Sequence, residues 1–334
     1  METVMEKHSK NYSVKVPKRH LGCTDLEVSL IGLGGLQLGG PVYRDGKPSG
    51  VPYFDEKEHL NLLNYAVDRG INFCETAHHY GRSEEILGKF LKNNPRSLVV
   101  ATKCGITPDG SFDLSVSFIE LAVENSLKRL GLECVDIFQV TIPDFDKEQV
   151  DSAIEALNNL KAKGKVKFIG ASLRQTELAK YLIVNHKIDT LEVPYNLFDV
   201  RFNKEIIALG QDKGIGIIIK SPLNGGMLTG KYDTNSVFSP ADVRSNYLNN
   251  EELNLRNRWI DEFCQDFNIR RASLRETALR FLFSNSNISS VALGVRSIDQ
   301  LEQNISLLAE PLFSVEEIEK IERISYIKKE VLNG

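Results

Sequence analysis

The sequence predicts a single α/β domain, residues 20–334, folded as a closed (β/α)8 barrel of the TIM-barrel architecture. Two observations predict it. Eight short apolar runs alternate with segments that carry helical apolar spacing, and continuous apolar runs are typical of parallel strands covered by helices on both faces. A length of 334 residues suits one barrel with insertions. Residues 1–19 are polar and lysine-rich, so we expect a tail outside the barrel.

The predicted elements alternate along the whole domain. Strands are expected at residues 30–33, 71–76, 98–103, 135–140, 166–171, 190–193, 215–219 and 290–293. A helix is expected to start at residue 83, and the other helices between and after the strands are expected at residues 55–70, 115–130, 148–163, 175–184, 203–212, 259–286 and 298–308. Two start signals are clear, because Asp55 and Ser83 each precede a helical apolar pattern and belong to residue types that cap helices.

Two segments interrupt the alternation. Residues 39–53 are rich in glycine and proline and predict a loop. Residues 224–258 follow the seventh strand, and insertions after barrel strands lie on the face where such barrels bind their ligands. We therefore expect residues 224–258 to form a lid over a substrate or cofactor.

Bulk composition narrows the function. Charged residues make up 26% of the chain and the net charge is −4, so no strong field exists to gather nucleic acid or an anionic membrane. The N-terminus has no apolar signal region, and no run of about 18 apolar residues exists to span a membrane. The five cysteines lack metal-ligand spacing. These features predict a cytoplasmic protein with reduced cysteines and no metal site.

Polar residues at strand ends suggest acid–base chemistry. Glu75 and Tyr80 lie at the C-terminal end of the second strand, Lys103 ends the third, and Thr141 follows the fourth. A lysine cation close to a tyrosine favours the phenolate and lowers a pKa that is ordinarily about 10. A carboxylate beside the lysine would hold it in place. We therefore expect Glu75, Lys103 and Tyr80 to form a proton donor.

These residues lie within a series of motifs that resembles the aldo-keto reductases. The similar segments keep that family's order from about residue 20 to residue 308. They are Glu75-Thr76-Ala77-x-x-Tyr80-Gly81, Ser83-Glu84-x-x-Leu87-Gly88, Ala101-Thr102-Lys103, Gly170-x-Ser172, Pro194-Tyr195-Asn196, Ser221-Pro222-Leu223-x-x-Gly226-x-Leu228-x-Gly230-Lys231 and Gly294-x-Arg296-Ser297-x-x-Gln300-Leu301-x-x-Asn304.

The resemblance implies an enzyme that binds NADPH, or less often NADH, across the C-terminal rim and delivers hydride to a carbonyl. Tyr80 would be the general acid and Lys103 its activator, with Glu75 as the anchor of the lysine and Thr141 as a weak substrate contact. A small-molecule substrate and a monomer are implied, although some relatives form homo-oligomeric rings.

The resemblance also implies a set of cofactor-binding residues. Tyr195 would stack on the nicotinamide, Ser172 would hydrogen-bond its carboxamide, and Glu192 would lie beside them. Ser221, Leu223, Gly226 and Lys231 would surround the pyrophosphate. The adenosine ribose would lie among Arg296, Ser297, Gln300 and Asn304. An arginine and a hydroxyl at the start of a helix suit a 2′-phosphate, which favours NADPH over NADH.

Four positions depart from the family pattern. Glu75 stands where the family has an aspartate, and Thr141 stands where it has a histidine after strand four. Leu173 replaces an asparagine and Glu192 replaces a glutamine. A threonine hydroxyl is a shorter donor than an imidazole and leaves more room for the substrate. His79, beside Tyr80, is a candidate to replace that imidazole.

Several functions are compatible with these four changed positions. Tyr80 could act as the sole acid in ketone reduction, or a substrate lying deeper could have the C=C bond of an enone reduced. A third possibility is an elimination, dehydration or epimerisation that recycles the bound cofactor, and a fourth is a nucleotide-binding regulatory subunit. The Tyr80–Lys103 pair favours an enzyme. The aromatic and charged loops are compatible with sugar, nucleotide-sugar or polyketide-like substrates of biosynthesis.

Overall fold

The computed structural model describes residues 14–185, 187–202 and 204–332. Its strands are β1 (Lys18–His20), β2 (Glu27–Ser29), β3 (Ile31–Gly34), β4 (Tyr43–Arg44), β5 (Lys47–Pro48), β6 (Phe73–Glu75), β7 (Val99–Cys104), β8 (Val135–Thr141), β9 (Val166–Ser172), β10 (Thr190–Pro194), β11 (Gly216–Lys220) and β12 (Ser290–Leu293).

The helices fill the intervals between the strands. They are α1 (Leu36–Gly39), α2 (Glu56–Asp68), α3 (Ser83–Asn93), α4 (Val116–Leu130), α5 (Lys147–Ala162), α6 (Thr176–Val184), α7 (Lys204–Asp212), α8 (Asn250–Asp266), α9 (Leu274–Ser284), α10 (Ile298–Ile305) and α11 (Val315–Leu332). No helix in the described ranges is long and apolar enough to cross a membrane.

Eight parallel strands close into a barrel in the order β10, β11, β12, β3, β6, β7, β8 and β9. This confirms the predicted fold class and all eight predicted strands. The strands are buried almost throughout, as continuous apolar runs require when helices cover them. Because the strands are parallel, their last residues meet at one rim of the barrel.

The other end of the barrel is closed by an antiparallel pair that the sequence did not predict. Strands β1 and β2 pair with each other. Apolar side chains around this hairpin pack into the barrel interior, in a cluster of Leu21, Leu26, Val28, Phe73, Ala101, Ile137 and Ile218. Residues 18 and 19, which were assigned to the polar tail, therefore belong to the fold. The rest of that prediction largely concerns residues 1–13, which lie outside the described residues.

Side chains cap the starts of α2, α4, α5, α8 and α10, whereas α1, α3, α6 and α9 start without a side-chain cap. The Asp55 side chain accepts a hydrogen bond from the Glu58 amide, as predicted. The helix start predicted at Ser83 is confirmed, but Ser83 is the first residue of α3 and not its cap, and Arg82 precedes it with no capping side chain. The Ser83 hydroxyl instead bonds Thr76, at 2.7 Å and fully buried, so it ties the helix to the loop that follows β6.

The two insertions contact each other. Residues 39–53 contain the short β4–β5 hairpin, which the loop prediction missed. Residues 224–249 form two 3-10 turns, Asn224–Thr229 and Val243–Asn246, and the amide of Val243 donates to the Gly50 carbonyl. Residues 250–258, the last part of the predicted lid, begin α8. The helix predicted at 259–286 is divided between α8 and α9.

Candidate active site

The polar residues predicted at strand ends do meet at the C-terminal rim. Glu75 is the last residue of β6, Thr141 of β8 and Ser172 of β9, while Lys103 is the penultimate residue of β7. Strand register aligns them, because Glu75 pairs with Ala101, two residues before Lys103, and Thr141 pairs with Ser172. The parallel barrel thus places an acid, a lysine and two hydroxyls around one opening.

Lys103 is the centre of this group. Its ammonium contacts the Glu75 carboxylate directly, lies 3.3 Å from Glu192 Oε1 and donates to the Thr76 carbonyl at 3.2 Å. All three charged side chains are buried. Glu192 was predicted as a cofactor contact, yet in this structure it is a second partner of the lysine.

The charges of this group are strongly coupled. Burial is the largest influence on Glu75 and raises its pKa to about 7; Lys103 opposes that shift and Glu192 adds to it. Burial acts on Glu192 in the same direction, but Lys103, Lys220 and the Ser172 hydroxyl together hold the pKa of Glu192 below its usual value. Burial also disfavours the Lys103 cation, although the two carboxylates outweigh it and raise the pKa of Lys103 well above its ordinary value.

Tyr80 lies against this cation. Lys103 Nζ is 4.9 Å from the centroid of the Tyr80 ring. The expectation that Lys103 lowers the pKa of Tyr80 was incomplete, because burial outweighs the lysine and the pKa of Tyr80 is raised. The phenol therefore keeps its proton at neutral pH, as a proton donor must.

Two polar atoms of the predicted site residues have no hydrogen-bond partner. Thr141 Oγ1 and His79 Nδ1 are buried and have no hydrogen-bond partner. The His79 ring lies edge-on to Tyr80, with 4.7 Å between centroids, and burial holds its pKa well below the usual value, so the imidazole is neutral. Both atoms thus have unused hydrogen-bonding capacity.

His78 turns away from Tyr80. Its Nε2 lies 2.6 Å from the Ile106 carbonyl and its ring packs against Phe118. The two histidines line one side of a cavity of about 460 Å³ between the loop after β7 and α4. A second cavity of about 550 Å³, lined by Asp151, Lys161 and Asp189, lies between α5 and the start of β10, away from the strand ends that carry the polar group.

Ser172 links Glu192 to a lysine that the sequence analysis missed. Its hydroxyl donates to Glu192 Oε1 at 2.9 Å and accepts from Lys220 Nζ at 2.7 Å. Lys220 is the last residue of β11. The signal that singled out Lys103, a lysine at the end of a barrel strand, applies equally to Lys220 and would have found it.

Tyr195 does not occupy the predicted position. Its side chain is fully buried, its ring packs against Phe281 of α9 at 5.0 Å between centroids, and its hydroxyl bonds Glu322 of α11. The ring faces the outer helices, so it has no free face for a nicotinamide. The residue type suggested stacking, but its position just after β10 directs it into the helical layer.

The segment after β11 is shaped for a close backbone approach. Gly225 and Gly226 have φ values of 66° and 95°, a conformation that favours glycine. A Cβ on Gly226 would lie 3.0 Å from the Tyr232 ring. Ser221 and Leu223 are half-buried beside this turn, whereas the Lys231 side chain is exposed.

The predicted adenosine residues surround the start of α10. The Arg296 guanidinium donates to the Gln37 amide oxygen at 2.7 Å, and the Arg296 amide donates to Gln300 Oε1 at 3.0 Å. Ser297 is exposed and caps the helix. Asn304 is buried one turn further along.

These residues fit a dinucleotide. An arginine, a hydroxyl and free amides at a helix start suit phosphate groups, and the glycine turn lets a pyrophosphate approach the backbone. At the other end, Glu192 and the remaining lone pair of Ser172 can accept from the two N–H groups of a carboxamide. Leu173 is buried and adds no polar atom there.

No cluster of three His, Cys, Asp or Glu side chains suited to a metal ion occurs in the described part of the chain. The cysteines are free thiols, of which Cys74, Cys104 and Cys264 are buried. Burial raises the pKa of Cys104, which disfavours its thiolate.

Comparison with known proteins extends these observations. The model of the "Aldo/keto reductase family" matches residues 30–326. An uncharacterized oxidoreductase, YqkF, of Bacillus subtilis is 30% identical over 326 residues, covering 94% of this chain and 97% of the relative. An NADH-specific methylglyoxal reductase of Escherichia coli is 28% identical, covering 88% and 93%. The holo form of the aldo-keto reductase AKR11C1 from Bacillus halodurans superposes with a TM-score of 0.73 at 26% identity, covering 92% and 96%.

Proposed function

This chain belongs to the aldo/keto reductase family and is an NAD(P)H-dependent oxidoreductase, and we propose that it reduces a carbonyl or conjugated carbonyl compound with Tyr80 as the proton donor. The observation that carries the proposal is the position of the half-buried Tyr80 phenol against the Lys103 ammonium. The bound nicotinamide would supply the hydride. The residues of this chain would bind and orient the reactants and supply the proton.

In the protein without bound cofactor, Tyr80 already has the properties of a proton donor. Its raised pKa keeps the phenol protonated, and the ammonium of Lys103 stabilises the phenolate that remains after the proton has moved to the substrate oxygen. Glu75 and Glu192 hold the ammonium charged and in place. A protein that only bound nucleotide would not need a phenol held against a paired lysine. The Tyr80–Lys103 contact therefore favours an enzyme over a regulatory subunit.

The cofactor would extend from Ser172 and Glu192, past the turn at Ser221, Leu223 and Gly226, to Arg296 and Ser297. Lys231, Gln300 and Asn304 complete the predicted set. We propose NADPH in preference to NADH, because the Arg296 guanidinium bonds only a neutral amide among the described residues and keeps its charge for a 2′-phosphate. One relative is named as NADH-specific, so the preference has to be measured. Tyr195 is no longer part of the proposed cofactor site.

Thr141 would be the weak substrate contact. Its unpartnered Oγ1 can donate to a substrate oxygen, and its small size leaves room for an enone whose C=C bond is reduced. The alternative reaction, an elimination, dehydration or epimerisation with the cofactor recycled, is favoured by one observation. A carboxylate with a pKa raised to about 7, as in Glu75, is suited to act as a base near neutral pH.

A cofactor titration followed by a substrate panel tests the proposal. Fluorescence titration with NADPH and NADH gives the two affinities, and aldehydes, ketones and enones are then offered while cofactor absorbance is followed. We expect tighter NADPH binding and net oxidation, and the product shows whether C=O or C=C is reduced. Tight binding without net oxidation of any substrate would favour the recycling or regulatory alternatives.

We further propose a cytoplasmic monomer that acts on a small molecule in biosynthesis. The near-neutral net charge of −4 supports the absence of nucleic-acid or membrane partners. Sedimentation of the purified chain tests the monomer directly, and a homo-oligomer would contradict it.

A further inference from the structure

The rim holds two lysines in opposite surroundings. Two carboxylates, Glu75 and Glu192, form ion pairs with Lys103 Nζ. No carboxylate of the described residues lies within 4.0 Å of Lys220 Nζ, whose hydrogen-bond partner is the neutral Ser172 hydroxyl. Two amines at one rim are thus placed for different roles.

Lys220 is accessible as well as desolvated. It ends β11, pairs in register with Pro194 of β10, and is half-buried, so a small molecule entering the rim can reach it. The hydrogen bond to Ser172 uses one of its N–H groups and fixes the direction of the side chain. When the amine is neutral, its lone pair remains free to act as a nucleophile.

The charges that act on Lys220 come from several strands of the barrel. Burial is the main influence and lowers its pKa to about 7. Glu192 of β10 and Glu75 of β6 oppose this shift, whereas Lys103 of β7 and Arg174, just after β9, add to it. At neutral pH the fraction of neutral amine is therefore about a thousandfold larger than for an ordinary lysine.

We propose that Lys220 is a nucleophilic amine that captures small aldehydes and ketones at the rim as a covalent imine. The nitrogen lone pair adds to the carbonyl carbon, and a proton moves from nitrogen to oxygen to give a carbinolamine. Its hydroxyl then takes up a proton and leaves as water while the C=N bond forms. No oxidant or reductant is consumed, and hydrolysis reverses the step.

This inference goes beyond the proposed reductase activity. A protonated imine is a stronger electrophile than the parent carbonyl and acidifies the neighbouring C–H bonds. Capture at Lys220 would therefore hold a carbonyl substrate beside Tyr80 and Lys103 and activate it. Lys103, as a cation between two carboxylates, is excluded from this role.

Reductive trapping tests the proposal on the full chain without added cofactor. The protein is incubated with butanal at pH 7, sodium borohydride reduces any imine to a stable secondary amine, and peptide mapping by mass spectrometry locates the adduct. We expect one dominant adduct at Lys220, and loss of that adduct in Lys220→Arg, which keeps a charge but lacks the nucleophile. Lys213→Met removes an exposed lysine near the other end of the same strand and is expected to leave trapping unchanged.

The outcomes are separable. Adducts spread evenly over exposed lysines, an adduct on Lys103, or trapping that persists in Lys220→Arg would each overturn the proposal. The map of the wild-type chain decides the matter even if the variant fails to fold. Net oxidation of NADPH by a carbonyl compound, measured separately, reports on the reductase activity, so either inference can fail while the other stands.

Discussion

Lys103 Nζ lies 4.9 Å from the centroid of the Tyr80 ring, and this contact joins the acid of the site to its charge network. The ammonium is compensated by two buried carboxylates, so the phenol faces a cation whose charge is held constant. Because Lys103 stabilises the phenolate and burial destabilises it, the site resists ionisation at rest and tolerates it when a proton is transferred.

Removing Lys103 should cost stability as well as activity. In Lys103→Met the carboxylates of Glu75 and Glu192 would remain buried without their cation, at a loss of about 3–5 kcal/mol. Adding Glu192→Gln should recover part of that loss, since one buried charge is then removed. Urea unfolding measures both variants. The exposed ion pair of Lys89 with Glu56 provides the control, because Lys89→Met should change stability by about 1 kcal/mol or less. If Lys103→Met combined with Glu192→Gln were no more stable than Lys103→Met alone, the proposed electrostatic interaction between Lys103 and Glu192 would be contradicted.

Thr141→Val should move stability and activity in opposite directions. The substitution removes a buried hydroxyl that has no partner, so we expect the free energy of unfolding to rise by about 1 kcal/mol. If the hydroxyl contacts substrate, kcat/KM should fall about tenfold. Thr102→Val is the matched control, since the Thr102 hydroxyl donates to Glu84 at 2.6 Å and its loss should destabilise the fold. Unchanged kcat/KM in Thr141→Val would exclude the substrate contact.

Glu75 gives a pH dependence with a definite sign. Its pKa is raised to about 7 in the folded protein, so the folded state binds the proton more tightly than the unfolded state. The stability it contributes is fully present below the unfolded pKa and is lost as pH rises through about 7. The Glu75→Gln side chain does not titrate, so the variant does not lose this stability. Relative to the wild type, its free energy of unfolding should rise by up to about 3 kcal/mol from pH 5 to pH 8. Denaturant unfolding at several pH values measures this difference, with Glu133→Gln at an exposed position as the control. If the stability of Glu75→Gln and of the wild type depended on pH in the same way, the raised pKa of Glu75 would be contradicted.

Arg296→Ala should weaken NADPH binding more than NADH binding. The guanidinium would pair with the 2′-phosphate that NADH lacks, so we expect about a 10- to 100-fold loss for NADPH and little change for NADH. Fluorescence titration of both nucleotides measures the ratio. Arg258→Ala, at an exposed position on α8, should leave both affinities unchanged. Equal losses for both nucleotides would show that Arg296 does not recognise the 2′-phosphate.

The sequence was sufficient for features that depend on local patterns. Continuous apolar runs identified all eight barrel strands, and because parallel strands end at one rim, the positions of Glu75, Lys103 and Thr141 in those runs brought them together. The same local reasoning could not supply tertiary context. It gave Ser83 as a cap, whereas the hydroxyl bonds Thr76, and it gave Tyr195 a cofactor role, whereas the ring packs on Phe281.

The directions of the pKa shifts were the hardest property to predict from the sequence. Proximity of Lys103 to Tyr80 was foreseen, but the net shift of the Tyr80 pKa depends on burial, which a list of neighbours does not reveal. Glu192 was recognised as a change from glutamine, yet its bond with Ser172 and its contact with Lys103 depend on the closure of the barrel. Lys220 was not predicted, although it directly precedes the Ser221-Pro222-Leu223 motif.

The central claim is most directly tested by the rate of cofactor oxidation in Tyr80→Phe, measured by stopped flow with saturating NADPH and the best carbonyl substrate. We predict that NADPH affinity is retained and that the rate falls by about 10²- to 10⁴-fold, as loss of a general acid requires. Tyr181→Phe, which removes a hydroxyl bonded to Asp151 on the outer face, should react at the wild-type rate. Oxidation by Tyr80→Phe at the wild-type rate would contradict the assignment of Tyr80 as proton donor.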